Sequence, residues 1–173
     1  MELMMLRPAV AIALRPVADD DQEFLFRVYA STREQERELF GWSIVDWDQF
    51  LRMQFDLQRV QYTRNCFNPS FTIILADGVS AGRMYLDRRR EEIRIIDIAL
   101  LPEHRRQGIG GLLIRTLLEE ADEQGVPVSL HVERDNPVLT YYERLGFQKK
   151  ELRSVYYFME RRPGASTSGR ILR

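Results

Sequence analysis

The sequence predicts a single α+β domain built on a mixed sheet, and three features predict it. Strand-like and helix-like runs follow one another along the chain with no internal repeat. The runs at 93–100 and 127–133 flank one amphipathic stretch, the pattern of a strand–helix–strand crossover. At the start of that stretch stand Gly108, Gly110 and Gly111, although each glycine inside a helix costs roughly 0.5–1 kcal/mol relative to alanine.

"VAIAL" at 10–14 reads as the first strand. The run 18–35 opens on three aspartates and carries Phe24, Leu25, Val28 and Tyr29 at helical spacing. A longer helix is expected over 43–65, with Trp47, Phe50, Leu51, Phe55 and Leu57 on a broad apolar side. "SFTIILADG" and "VSAGRMYLDRR" read as a hairpin turning at Asp77-Gly78. In "EIRIIDIALL" the alternation slips: Ile93 and Ile95 hold one phase, Ile96 breaks it, and Ile98 and Leu100 resume in the other. A β-bulge near 95–97, or burial on both faces, would account for this.

Ile109, Leu112, Leu113, Leu117 and Ala121 then define a helix closed by Gly125. Val128, Leu130 and Val132 mark the next strand. "NPVLTYYERLG" is a short helix with Asn136 as its cap. "SVYYFMER" is the last strand, expected near a sheet edge, where Tyr156 and Phe158 could support a homodimer as an alternative to a monomer. Residues 1–162 form one expected domain, and 163–173 a loose tail.

Composition excludes several classes. A net charge of -1 and the absence of a strong basic patch argue against a nucleic-acid partner. No apolar run approaches the ~18 residues of a membrane span. Arg7, Pro8 and Arg15 interrupt the N-terminal apolar stretch, so no signal peptide is expected. Cys66 is the lone cysteine, which precludes an internal disulfide and agrees with a reducing, cytoplasmic setting.

A strand that ends in a Gly-rich turn at a helix start reads as an anion site, the alternative being glycines that only allow tight helix–sheet packing. Its backbone N–H groups lack helical partners, and the helix dipole adds about half a positive charge. Arg105 and Arg106 precede the glycines and add charge. A P-loop fits poorly because Leu112 and Leu113, not Lys-Ser/Thr, follow Gly111. A dinucleotide fingerprint counted from Gly108 meets Leu113 at its third glycine.

The segment Arg105-Arg106-Gln107-Gly108-Ile109-Gly110 resembles the Arg/Gln-x-x-Gly-x-Gly/Ala signature of the GCN5-related N-acetyltransferases. "NPVLTYYERLGF" is similar to that family's second conserved segment. The resemblance covers 72–160 and is topological over 10–71. It implies a three-layer α/β/α fold whose sheet splays between two parallel central strands. It also implies acetyl-CoA as acyl donor, with no metal, and a primary amine on a small molecule or peptide as acceptor. Arg105, Arg106, Gln107, Gly108, Ile109, Gly110 and Gly111 would cradle the pyrophosphate. The backbone of Ile98, Ala99 and Leu100 would pair with the pantetheine arm, and Asn136 would touch it while also capping its helix.

The resemblance further implies that Tyr142 is the general acid to the leaving thiolate, with Tyr141 a rival for that role. The spacing from Asn136 to Tyr142 is one residue shorter than in many relatives. Asp97, beside the expected bulge, is the candidate general base; its alternative is a structural carboxylate paired with an arginine such as Arg94. His131 titrates near neutrality but stands at an outward strand position. Tyr29, Phe40 and Trp42 are the candidate acceptor-binding residues, with Glu34, Glu36 and Glu38 nearby to suit a cationic amine. An acyl-CoA-binding or protein-interaction module without turnover is the alternative function.

Overall fold

The computed structural model of the chain describes residues 10–165, apart from the side chains of Gln35, Glu38 and Phe40. The N-terminal stretch 1–9, where no signal peptide is expected, and residues 166–173 of the expected tail lie outside the described residues. The elements are β1 (Ile12–Pro16), α1 (Gln22–Ser31), α2 (Glu34–Phe40), α3 (Ile44–Asn65), β2 (Pro69–Ala76), β3 (Val79–Arg88), β4 (Ile93–Leu100), α4 (Ile109–Gln124), β5 (Val128–Glu133), α5 (Leu139–Arg144), β6 (Gln148–Arg153) and β7 (Tyr156–Arg161).

The strands form one sheet in the order β1-β2-β3-β4-β5-β7-β6. Every pairing is antiparallel except β4 with β5. The β2–β3 hairpin turns at Asp77 and Gly78, both at positive φ (50° and 81°), as a two-residue primed turn requires. The sheet has a core on each face. One packs Ile109, Leu113, Ile114, Leu117 and Leu118 of α4, with Tyr142 and Leu145, against the strands. The other packs Leu25, Phe26 and Tyr29 of α1 with Trp47, Leu51 and Phe55 of α3. Three layers result, as expected. Each aliphatic side chain buried this way contributes about 1.5–3 kcal/mol relative to exposure.

The bulge is present. Tyr85 pairs with Asp97 and Leu86 with Ile95, so Ile96 is the extra residue of β4. It feeds the α1–α3 core while Ile95 packs into the α4 core. Below the bulge β4 and β5 pair over only Ile93–Ile95 and Val128–Leu130. Beyond Ile95 the two strands part, and the sheet opens as a V.

Three expectations need correction. The helical run at 18–35 breaks after Ser31 and restarts as α2, which ends on Gly41 in the left-handed region. A strand over 148–153 was not anticipated, because Leu152 is its lone apolar residue. It becomes the edge, so β7 is interior and its Tyr156 and Phe158 do not form an open edge. The edge strand is exposed throughout and carries Lys149, Lys150, Glu151 and Arg153, a composition that discourages edge pairing. The start of the expected tail is tied down: Gly164 N donates to Asp122 Oδ1 (2.9 Å), and Asp122 holds Arg161 bidentately.

Candidate active site

Helix α4 begins without a side-chain cap. Its first internal bond runs from Leu112 N to Gly108 O (2.9 Å), which leaves the N–H groups ahead of it to face outward. Gly108 adopts φ +82° and Arg106 φ +61°, so the loop bends twice through the left-handed region. For Arg106 that conformation is strained by about 1 kcal/mol or more. A Cβ on Gly110 would meet only Leu100 Cδ1, at 3.9 Å. The nest is open, positive and bounded by the end of β4, so the residues present fit a pyrophosphate.

The two arginines ahead of the nest differ. Arg105 turns away: its Nε donates to Leu100 O (2.8 Å) and its Nη2 to Ser31 O and Oγ (3.1 and 3.0 Å). It ties the loop to α1 and β4. Arg106 has no ion-pair partner among the described residues and remains available to an anion. Gln107 donates to Glu103 O (2.7 Å) and braces the turn. Asn136 is not the cap that the sequence predicts: the cap position of α5 is Val138, and Asn136 Oδ1 accepts from Val138 N (3.0 Å) in an Asx turn that precedes the helix.

The tyrosines divide between two places. The Tyr141 hydroxyl is buried without a hydrogen-bond partner and lies at the α4 start, 3.0 Å from where a Gly111 Cβ would stand. Arg115 folds back to the same point, its Nη1 3.2 Å from that position. Tyr142 packs in the core against Phe147, with centroids 5.5 Å apart. Its pKa is pushed up to about 12, chiefly by burial and then by the Asp97 charge. Tyr142 thus feels the carboxylate across the V, and Tyr141 borders the nest.

The bulge decides where Asp97 points. Set opposite Tyr85, it faces α1 and α3 and forms an ion pair with Arg83, not with Arg94. Arg94 is held by Glu92 (2.8 Å). The Arg83 side chain is 3% exposed, and its Nη2 also donates to Gln58 Oε1 (3.1 Å). The contact runs through Arg83 Nη2 and Asp97 Oδ2, and the buried Arg83 Nε has no hydrogen-bond partner. Burial works to lower the Arg83 pKa, while Asp97 raises it with help from the Tyr85 and Tyr62 hydroxyls; the net shift is upward.

A model described as the Acetyltransferase (GNAT) family matches residues 27–147. The chain belongs to this family. It is 35% identical over 69 residues to the ribosomal protein bS18 alanine N-acetyltransferase of Escherichia coli (strain K12), across 39% of this chain and 47% of that one. The chain therefore spans about half the length of the curated relatives it matches. Among solved structures, the PaiA N-acetyltransferase of Thermoplasma acidophilum, in complex with coenzyme A, superposes with a TM-score of 0.66. That match has 20% identity and covers 88% of this chain and 99% of that one. The Escherichia coli alanine N-acetyltransferase superposes with a TM-score of 0.55 at 19% identity, covering 94% and 99%. At such identities the likeness concerns the fold.

In this GNAT chain the turn after α1 lies near the β6–β7 turn, close enough for Arg33 and Glu36 to act on the Tyr156 hydroxyl. Tyr29 is buried against Phe55 (5.6 Å), with the Arg33 guanidinium 5.4 Å from its ring centroid. It is a wall of the core more than an open contact. Trp42 is half exposed and packs on Trp47 and Phe50. Phe40 lies at the end of α2, and its side chain is outside the described residues. Glu36 pairs with Arg33 (3.1 Å). The Tyr156 hydroxyl donates to Glu133 Oε1 (3.1 Å), which fastens the β6–β7 turn to the end of β5. His131 alternates with core-facing Leu130 and Val132, so it shares the Asp97 side of the sheet. Its pKa is lowered, first by burial and then by Arg94 and Arg153. Gly82, Arg83 and Arg115 belong to none of the motifs that the sequence displays. A glycine and a charge inside the apolar run of β3 were the available signal of a close approach.

Proposed function

We infer that this chain transfers an acetyl group from acetyl-CoA to a primary amine, by direct attack within a ternary complex. One observation carries the reading: the unpaired edge of β4 beyond Ile95 leads straight to the orphan N–H nest of α4. An extended, amide-bearing arm ending in a pyrophosphate is the ligand that satisfies both.

Residues 106–111 would hold the pyrophosphate, with Tyr141 and Arg115 beside them. Arg105, which the resemblance counts among the ligands, would act by fixing the loop. Ile98 to Leu100 would pair with the pantetheine arm through backbone groups, next to the Asn136 turn. Bound there, acetyl-CoA would supply the acyl group as an activated thioester. As the amine nitrogen bonds to the acyl carbon and the carbon–sulfur bond breaks, the sulfur leaves with the electron pair and gains a proton, and the amine loses one.

Tyr142 is the proposed donor of the first proton. With a pKa of about 12 it is fully protonated at neutral pH. Full transfer to a thiolate of pKa near 8.5 would then be uphill by roughly 5 kcal/mol. Tyr142 would act mainly by a hydrogen bond that strengthens as sulfur charge develops. Asp97, held at the bulge by Arg83, is the proposed acceptor of the second proton. A second reading assigns that proton to His131, because its lowered pKa leaves the imidazole neutral on the same side of the sheet.

The test is free-thiol release from acetyl-CoA with a panel of amines: peptide N-termini, polyamines, amino acids and aminoglycosides. The peptide class comes first, since a relative's name specifies a protein alanine. Turnover with at least one class is expected. Binding of coenzyme A with no thiol release from any amine would favour the non-catalytic module. For the base, Asp97→Asn should lose most rate at low pH and recover at high pH, where the amine deprotonates unaided. An unchanged profile in Asp97→Asn, with loss in His131→Ala, would move the role to His131.

A further inference from the structure

A cavity of about 480 Å³ lies away from the V, between α1, α3 and the β1–β3 side of the sheet. Small-molecule sites typically enclose ~300–1,000 Å³. Val17, Leu25 and Phe71 give it apolar walls. Tyr62 and Tyr85 also line it, their rings edge to face with centroids 6.1 Å apart. Gln22 lines it too, and its Oε1 is buried with no hydrogen-bond partner. An amide oxygen left in that state costs about 1–3 kcal/mol, and native interiors keep few of them. Neither core cluster nor the acyl-transfer chemistry uses this atom.

Charge separates this cavity from an amine site. Its lining includes no aspartate or glutamate, and its one formal charge is Arg59. Arg59 and Gln22 also share the wall of a smaller adjoining hollow, so the two stand close together. That hollow, unlike the cavity, also carries Asp56, Glu23 and Arg52; Asp56 is 3.7 Å from Arg59, with both side chains more than half exposed. Such a pair contributes about 0–1 kcal/mol, which leaves the guanidinium free to take a better partner. A cationic acceptor amine would be repelled here; an anion would be drawn in. The ring-lined interior favours a planar apolar body, since aromatic edges and faces attract.

We propose that this cavity binds a small aromatic carboxylate bearing an N–H or O–H donor. The donor meets Gln22 Oε1, the ring lies among Leu25, Phe71 and Tyr62, and the carboxylate pairs with Arg59. The site borders the transfer centre through Tyr85, which is paired with Asp97 and has the Arg83 guanidinium 5.3 Å from its ring centroid. An occupant therefore touches a residue that supports the Asp97–Arg83 pair.

Indole-3-acetate carries all three features and serves as the probe. Titrated into the full chain, it should shift the backbone amide resonances of Phe71, Thr72 and Tyr85 and bind below about 1 mM. Gln22→Leu and Arg59→Gln should each weaken binding by about fivefold or more. Thr63→Trp, which fills the exposed rim, should abolish it while coenzyme A affinity stays unchanged. The proposal fails if those amides do not move at about 5 mM probe, where a site of this class would be largely filled. It fails equally if all three variants bind like the parent. Displacement of the probe by coenzyme A would place it in the acyl-transfer cleft, and equal binding of plain indole would remove the carboxylate from the assignment. Each readout is independent of turnover, so failure here and failure of the acetyl-transfer reading are distinguishable.

Discussion

Replacing Gly82 by alanine perturbs the part of the sheet that positions the proposed cofactor strand. Gly82 sits opposite Leu100. A new Cβ would overlap the Ala99 carbonyl oxygen and lie 2.9 Å from Leu100 Cδ2 and 3.0 Å from Leu100 Cα. Two of these three are backbone atoms, so no rotamer change relieves them. The strands must separate locally by about 1 Å to restore ordinary contact. Overpacking of this kind costs about 1–3 kcal/mol. The bond from Leu101 N to Ala81 O (2.9 Å), just past the contact, is the next to break, for about 1 kcal/mol more. For a domain of this size the sum corresponds to a melting temperature lower by roughly 4–16 °C. Coenzyme A affinity should fall by about tenfold or more, because the displaced residues 98–100 are those that would pair with the pantetheine arm. Scanning calorimetry and calorimetric titration with coenzyme A read the two effects. A variant that melts within about 2 °C of the parent and binds coenzyme A equally well would refute this account of the β3–β4 contact.

Other substitutions separate fold from chemistry. Gly110→Asp has room for its Cβ and puts an acid in the first turn of α4, which the helix dipole favours by about 0.3–1 kcal/mol; it should melt no lower than the parent yet lose coenzyme A binding in a titration. Tyr142→Phe should reduce turnover by about 10²-fold with little change in coenzyme A affinity, the low end for an acid because its pKa lies so far above the thiol's. Tyr141→Phe should instead weaken coenzyme A several-fold, by about 0.5–1.5 kcal/mol, and a kcat–KM comparison distinguishes the two. The Arg15 guanidinium beside Asp21 holds that carboxyl down to about 2. A depressed carboxyl pKa stabilises the fold fully above the unfolded value near 3.9, and the effect disappears as pH falls toward 2. Asp21→Asn should therefore be less stable than the parent in urea at pH 6, with the gap closing between about pH 4 and pH 2.

The glycine nest, the crossover and the bulge are all legible in the sequence, because each is a local demand on a few consecutive residues. Gly108, Gly110 and Gly111 declare a bare helix start, and the doubled Ile95-Ile96 declares a slip in strand phase. Strand β6 was not legible: an edge strand buries neither face and therefore carries no apolar alternation. Residue partners were legible least of all. Chain proximity offered Arg94 to Asp97, yet Arg94 pairs with Glu92 and the bulge turns Asp97 toward Arg83 on the neighbouring strand. Arg105 reads as a phosphate ligand beside Arg106, yet Ser31, 74 positions earlier, and the Leu100 carbonyl claim its guanidinium. Composition and spacing decide which backbone shapes form, since those depend on neighbours in the chain. Register between strands and the packing of α1 against the loop decide which charges meet, and those depend on residues that only folding brings together.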